Sequence, residues 1–156
     1  MSSLLNELKQ SRPFRLPGLE ASVALLRTTA QLRRLLESDL GQHGITLQQF
    51  NVLRILRGAG EAIPTMDIAD RMVEQEPGIT RLLGRLESKD LIERRRCAED
   101  GRRVLVAITE EGCRVLDQVG DPTDFLGSKE GSAMSAEDLE SLVELLSKAR
   151  RAMEPA

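Results

Sequence analysis

Aromatic residues are scarce in this chain, which has three phenylalanines and neither tryptophan nor tyrosine among its 156 residues. We therefore expect any small-molecule pocket to be mainly aliphatic, with contacts from Arg, Thr or Met side chains. Arg15, Arg33 and Arg34 could meet an anionic ligand in such a pocket. They could equally be solvated, and solvation is the preferred interpretation because charged side chains are mostly exposed in folded proteins.

Cysteine and histidine are also rare. Cys97 and Cys113 lie 16 residues apart without a companion at metal-ligand spacing, which excludes a disulfide framework and does not support a metal site. The only histidine, His43, lies in a glycine-rich stretch at a predicted helix end, where we expect it to cap. Nucleophile–histidine constellations, phosphate loops and dinucleotide fingerprints are missing, so the sequence disfavours an enzyme and we expect no cofactor.

Long apolar runs are missing too. None approaches the roughly 20 residues of a membrane span, and residues 1–9 lack the apolar centre of a signal peptide. The 40% of hydrophobic residues is enough for a core. We therefore expect a soluble, cytoplasmic protein without a membrane partner, most simply one domain or one domain with helical arms.

The net charge of −3 is unevenly distributed. The segment from Gly78 to Arg103 contains eight Lys or Arg and five Asp or Glu, so it carries +3 and leaves −6 for the remainder. A basic patch on an acidic body attracts a polyanion in one orientation. The common alternative is a solvated charged surface without a partner.

The stretch from Pro77 to Arg103 is predicted to be a helix followed by a two-stranded ribbon. Proline suits a first helical position, so the helix is expected to begin at Pro77. Apolar residues recur there at spacings of three and four, and a basic, small-residue surface falls opposite. The apolar positions are Ile79, Leu82, Leu83 and Leu86, and the opposite ones are Arg81, Gly84, Arg85 and Ser88.

Two alternating segments follow, Leu91 to Arg95 and Val104 to Thr109, with the turn signal Asp100-Gly101 between them. Strand alternation separates Arg94 and Arg96 from Arg95, so all three cannot face one partner. We expect Arg94 to be structural and paired to a carboxylate, and Arg95 or Arg96 to contact phosphate.

A helix-turn-helix is predicted from the residues that precede the ribbon. Thr65 is expected to cap a short helix from Met66 to Met72, and residues 73–76 form the turn before the second helix. Thr46 with Gln49 has the spacing of a capping box at the start of an earlier helix.

Helices are also predicted on both sides of this unit. From Leu19 to about Leu40 the pattern has two apolar stripes, which indicates burial against a partner subunit or, alternatively, a central core helix. Gly41 and Gly44 are expected to end it. Thr109 is expected to cap a helix that Gly120 and Pro122 interrupt. Gly120 to Met134 is therefore predicted to be a loop or short turns before a last helix at Ser135.

Four segments in this order and spacing resemble the MarR family of bacterial transcriptional regulators: residues 80–87, 91–95, 100–103 and 108–112. The resemblance covers about Leu19 to Val119. It implies a mainly α fold with a small two- to three-stranded β-wing, in which a winged helix-turn-helix at 46–108 is flanked by dimerisation helices at 14–45 and 109–154. It further implies a homodimeric repressor of a pseudo-palindromic operator, released in many members by a small-molecule effector.

The resemblance also implies which residues contact double-stranded DNA. The recognition helix would enter the major groove with Arg81 as the base reader, and Arg102 would enter the minor groove while Asp100 orients it. Thr65 could hold a phosphate through its backbone amide or serve only as a helix cap. The full set is Thr65, Gly78, Thr80, Arg81, Arg85, Arg95, Arg96, Arg102 and Arg103.

Two alternatives remain open at this point. The winged helix could serve protein contacts without specific DNA binding. The regulator could instead be a thiol-based redox sensor, since Cys97 directly follows the arginine run and positive charge favours thiolate chemistry.

Overall fold

The computed structural model describes residues 3–74, 77–97, 100, 102–120, 126 and 134–154. The chain is mainly helical with a small antiparallel sheet of three strands, so the predicted fold class is confirmed. Within the described part, no helix combines the length and apolarity of a membrane span. The elements are α1 Ser3–Glu7, α2 Pro17–Gln42, α3 Leu47–Ala59, β1 Ile63–Pro64, α4 Thr65–Arg71, α5 Ile79–Glu87, β2 Ile92–Arg96, β3 Val104–Ile108, α6 Glu110–Val119 and α7 Ala136–Ala152.

Strand β3 is the centre of the sheet, whose order is β1-β3-β2. Strands β2 and β3 form the predicted hairpin, with a register that runs from Ile92 opposite Ile108 to Arg96 opposite Val104. Strand β1 adds two residues on the other side of β3. Strand β1 cannot be predicted from the sequence, because two residues are too few to show alternation. Pro64 is tolerated there because β1 is an edge strand.

The core lies between α3, α4, α5 and the sheet. Its fully buried side chains come from each of these elements and from the ends of α2 and α6. The largest are Leu40, Leu53, Leu56, Ile68, Leu83, Leu86, Leu116, Val52 and Val106. By contrast, only Leu36 and Leu40 are buried in the 26 residues of α2, and none of the residues of α7 is buried. Most of the core therefore comes from α3, α4, α5 and the sheet, with smaller contributions from α2 and α6 and none from α7.

The two helices of the helix-turn-helix begin at different residues from those predicted. Pro77 lies in a turn, and α5 begins at Ile79 with Gly78 as its N-cap. The fixed φ of proline suits a turn as well as a first helical turn, so Pro77 alone did not distinguish the two. Thr65 is the first residue of α4 and not its cap, because Pro64 holds the cap position. The Thr65 hydroxyl donates instead to the carbonyl oxygen of Val104 at 3.4 Å.

Helix α2 is longer than predicted at both ends. Pro17 lies in its first turn, where a missing N–H costs nothing. Gly41 lies inside the helix and does not end it. His43 is the C-cap, as expected, and donates its N–H to the carbonyl oxygen of Leu40 at 3.0 Å. Gly44 then reverses the chain with φ +69°, a conformation that glycine adopts without strain.

The predicted side-chain caps are confirmed at three helix starts. Thr46 and Gln49 form a complete capping box on α3, and Ser135 and Asp138 form another on α7. Hydrogen bonds from the backbone N–H and hydroxyl of Ser135 lower the pKa of the Asp138 carboxyl. The Thr109 hydroxyl caps α6, which ends at Val119. The predicted loop from Gly120 to Met134 lies almost wholly outside the described residues.

Candidate nucleic-acid interface

Helix α5 presents one buried and one cationic surface. Leu82, Leu83 and Leu86 are buried against the core, whereas Arg81 and Arg85 are exposed. Thr80 is exposed beside them, and the adjoining Gly84 is half-buried. A Cβ at Gly84 would meet nothing within 4 Å, so the surface is open there. Two exposed guanidiniums one helical turn apart form a cationic surface that can contact phosphates or guanine edges.

The tip of the β2–β3 hairpin carries Arg102 and Arg103, both exposed. Asp100 holds the turn through the backbone, since its carboxylate accepts the N–H of Arg102 at 3.0 Å. The N–H of Arg103 donates to the carbonyl oxygen of Asp100 at 2.9 Å. Among the described residues, Asp100 forms no ion pair with the Arg102 guanidinium. Asp100 therefore orients the turn and does not hold that guanidinium. Gly101 lies outside the described residues.

The three arginines of β2 divide as strand alternation predicts. Arg94 is half-buried and forms an ion pair with Glu87 at the end of α5, which confirms the expected structural partner. The hydrogen bond from Arg94 lowers the pKa of the Glu87 carboxyl, and the same contact raises the pKa of Arg94. The pair is therefore charged at neutral pH, and it is lost only in acid, when Glu87 takes up a proton. Arg95 and Arg96 are both exposed.

The remaining predicted residues lie at helix starts. Gly78 is half-buried as the N-cap of α5, and its carbonyl oxygen accepts the N–H of Leu82 at 2.9 Å. Thr65 is half-buried, and its hydroxyl is directed to β3. The candidate residues thus fall into two adjoining groups. The start of α4 and the surface of α5 form one group, and the hairpin forms the other.

A cavity of about 220 Å³ lies between α2, α3 and the turn that follows α4, away from these arginines. Most of its lining surface is apolar. Thr29 and Met72 belong to the lining, as expected from the composition, and Phe50 is its aromatic member. Arg54 lies over the Phe50 ring at 5.9 Å from the ring centre. The lining residues are Thr29, Leu32, Arg33, Leu36, Leu47, Gln48, Phe50, Asn51, Arg54, Met72, Val73 and Glu74.

One side of this cavity is lined by an ion pair between Arg33 of α2 and Glu74 of the turn that follows α4. Arg33 is therefore paired as well as partly solvated, since its side chain remains 36% exposed. The partners are 41 residues apart, so no local pattern could have paired them. The one signal in the sequence for a contact at Arg33 was its position beside Leu32 and Leu36, which belong to an apolar stripe.

The described residues show few features of a metal site or of a reactive thiol site. They hold no group of three His, Cys, Asp or Glu side chains placed to bind a metal ion. Cys97 and Cys113 are both free and half-buried, and Cys97 donates its backbone N–H to the carbonyl oxygen of Arg103 at 2.9 Å. Cys113 lies in α6 and retains some exposure.

Comparison with known proteins connects this geometry to a family. The MarR family model matches residues 43–103, which include α3, α4, α5 and β2. A MarR transcription factor from Planctomyces limnophilus is 33% identical in its crystal structure, with a TM-score of 0.62 over 93% of this chain and 100% of that one. The HTH-type transcriptional regulator FarR of Neisseria gonorrhoeae is 29% identical over 66% of this chain and 70% of its own.

A third similarity is to a mutant MarR from E. coli solved as a complex with operator DNA. It is 27% identical, with a TM-score of 0.69 over 95% of this chain and 99% of that one. The family match includes the start of α4, the cationic surface of α5 and the three arginines of β2. The chain belongs to the MarR family of helix-turn-helix transcriptional regulators.

Proposed function

We propose that the protein is a homodimeric repressor that binds a pseudo-palindromic operator, with α5 in the major groove and the hairpin tip in the minor groove. The observation that carries this proposal is the pairing of two exposed arginine groups, on α5 and at the hairpin tip, in one domain with its own core. Arg81 would read base edges, and Arg102 would enter the minor groove, where the negative potential is strongest.

The other proposed residues would contact mainly the phosphates of the DNA backbone. Thr80 and Arg85 lie on the same exposed surface as Arg81 and would contact phosphate or base edges. Thr65 and Gly78 would present backbone amides to phosphates. Occupation of a promoter by such a dimer would block transcription, which is why we propose repression. The remaining residues proposed to contact DNA phosphates are Arg95, Arg96 and Arg103.

Exposed apolar side chains on α2 and α7 support the proposed homodimer. Leu19 and Leu26 of α2 are 51% and 71% exposed, and Val143 and Leu145 of α7 are 62% and 64% exposed. A monomer rarely leaves so many large apolar groups in water, so such surfaces mark interfaces. A second copy of the chain would bury them, and the dimer would then place two α5 helices on one duplex.

Replacing Leu26 by aspartate tests the dimer and its role in DNA binding together. A buried unpaired carboxylate is strongly unfavourable at an apolar interface, so the variant should sediment as a monomer. It should bind the operator about 100-fold more weakly or worse, because the second half-site loses its high effective concentration. Sedimentation equilibrium and DNA titration measure the two effects.

Met66→Asp is the matched control for oligomeric state. Met66 is 66% exposed but lies on α4, outside the proposed interface, so this variant should remain a dimer. A parent protein that sediments as a monomer, or a Leu26→Asp variant that stays dimeric, would contradict the proposed interface.

We also propose that a small effector binds the cavity between α2 and α3. Its lining combines apolar surface with two guanidiniums, those of Arg33 and Arg54, and one carboxylate, that of Glu74. This balance favours a small, largely apolar ligand with a single anionic group. Such an anion would compete with Glu74 for Arg33 and would separate the helix-turn-helix turn from α2.

Calorimetric titration with benzoate and octanoate tests the effector site. At least one acid should bind the parent protein, and Arg33→Ala should weaken that binding about tenfold or more, since a hydrogen bond to a charged group contributes about 1.5–3 kcal/mol. Arg34→Ala is the matched control, because Arg34 is exposed beside Arg33 and does not line the cavity. If neither acid binds the parent, or both variants bind equally, the cavity is not the site of an anionic effector.

A further inference from the structure

One side-chain pair joins the end of the recognition helix to the wing. Glu87 is the last residue of α5, and Arg94 is the central residue of β2. The Nε of Arg94 donates to Oε2 of Glu87 at 2.8 Å, and Nη2 of Arg94 donates to the same oxygen. Two nitrogens of one rigid guanidinium on one carboxylate oxygen restrict the orientation of the strand relative to the helix.

The sheet register explains why Arg94 faces the helix. Arg94 lies opposite Val106 of β3, which is fully buried. Residues directly opposite each other project to the same face of a sheet, so Arg94 lies on the core side. Its side chain is 29% exposed, compared with 38% for Glu87. A partly desolvated guanidinium requires a partner, and Glu87 provides it.

The backbone turn and this ion pair connect α5 to β2 at two places. Only residues 88–91 separate α5 from β2, and the N–H of Leu91 closes their turn by donating to the carbonyl oxygen of Leu86 at 3.1 Å. Asp90 turns the chain there with φ +57°. This turn fixes where β2 begins. Arg94 lies two residues farther along the strand, so its contact with Glu87 is a second connection between the strand and the helix.

We propose that Glu87 and Arg94 are positioning residues that fix the separation between the α5 surface and the wing tip, so that binding in one groove favours binding in the other. The inference rests on the proposed DNA contacts of Arg81 and Arg102. In this proposal neither positioning residue contacts DNA, because their charged groups pair with each other. Their effect is a coupling between the Arg81 contact in the major groove and the Arg102 contact in the minor groove.

A double-mutant cycle on operator binding tests this coupling. Arg102→Ala is introduced into the parent protein and into Glu87→Gln, which keeps the side-chain shape and removes the charge. If the pair positions the wing, Arg102 contributes less once the pair is broken. We therefore expect the loss caused by Arg102→Ala to be several-fold to about tenfold smaller in Glu87→Gln than in the parent. A residue that only stabilises the fold would shift the thermal midpoint and leave this loss unchanged.

Asp117→Asn is the matched control. It removes one carboxylate from a different ion pair, the exposed Arg57–Asp117 pair at 3.0 Å between α3 and α6, so its effect on net charge equals that of Glu87→Gln. In this background Arg102→Ala should cost the same as in the parent. Arg94→Lys is the second variant and replaces Glu87→Gln in the cycle if that protein does not fold. Lysine keeps the positive charge but cannot donate two hydrogen bonds from one rigid guanidinium to the Glu87 carboxylate.

The outcomes separate the coupling from the proposed function. A smaller loss from Arg102→Ala in both pair variants, with the control unchanged, supports the coupling. Equal losses in all backgrounds overturn the coupling and leave the wing contact in place. If Arg102→Ala has no effect in the parent protein, the wing contact fails and the coupling is overturned with it.

Discussion

Replacing Gly112 by alanine is expected to lower the free energy of unfolding by about 2–3 kcal/mol, a large effect for a single added methyl group. A Cβ at Gly112 would lie 2.2 Å from the carbonyl oxygen of Leu91 and 2.7 Å from Cγ1 of Ile108. The oxygen cannot simply move away, because it also accepts the N–H of Thr109 at 3.2 Å. Helix α6 would have to shift from the sheet, which chemical denaturation would report as a lower midpoint.

Gly84→Ala is the matched control and should have the opposite sign. Gly84 lies inside α5, and a Cβ there meets nothing within 4 Å. Alanine in place of an unhindered helical glycine stabilises by about 0.5–1 kcal/mol, since the unfolded chain loses conformational freedom. Equal stability of Gly112→Ala and the parent would show that the close approach of α6 to Leu91 is not required by the fold.

Local patterns were sufficient to predict most of the winged helix. The apolar stripe of α5 is buried as expected, and alternation identified the β2–β3 hairpin within one residue at each end. The caps by Thr46, Thr109 and Ser135 were also predictable, because a cap depends on residues within four positions of each other. The expected partner of Arg94 followed from alternation, although its identity as Glu87 did not.

Features that depend on distant parts of the chain could not be predicted in the same way. Strand β1 exists because β3 lies beside it, and its two residues have no pattern of their own. The Thr65 hydroxyl bonds to Val104, 39 residues away, and so does not cap its helix. The Asp100 carboxylate was expected near the Arg102 guanidinium, but the backbone N–H is closer and fixed by the turn. The cavity likewise appears only when α2 and α3 pack.

The second large effect is expected at the two arginines proposed to enter the grooves. Arg81→Ala should weaken operator binding by about 1–3 kcal/mol and should also relax the base preference at one position of each half-site. Arg102→Ala should weaken binding by a similar amount across all sequences with similar grooves, because the minor groove carries little base information. Competition titrations against operator and altered duplexes separate the two effects.

Arg57→Ala is the matched control for these variants. Arg57 is an exposed arginine on α3 that pairs with Asp117, away from α5 and the hairpin tip. Its loss changes net charge by the same amount as the other two substitutions, so it corrects for the general effect of charge. The groove assignments would be wrong if Arg57→Ala weakened binding as much as Arg81→Ala or Arg102→Ala.

Selection of bound fragments from random duplex DNA by the parent protein tests the central claim most directly. A dimer with two recognition helices should enrich an inverted repeat whose half-sites lie about one helical turn, roughly 10 base pairs, apart. Affinity for the selected duplex should fall steeply as salt rises, because several phosphates release counterions. Recovery of no preferred sequence, or binding that does not change with salt, would contradict the account and would favour a winged helix that contacts protein.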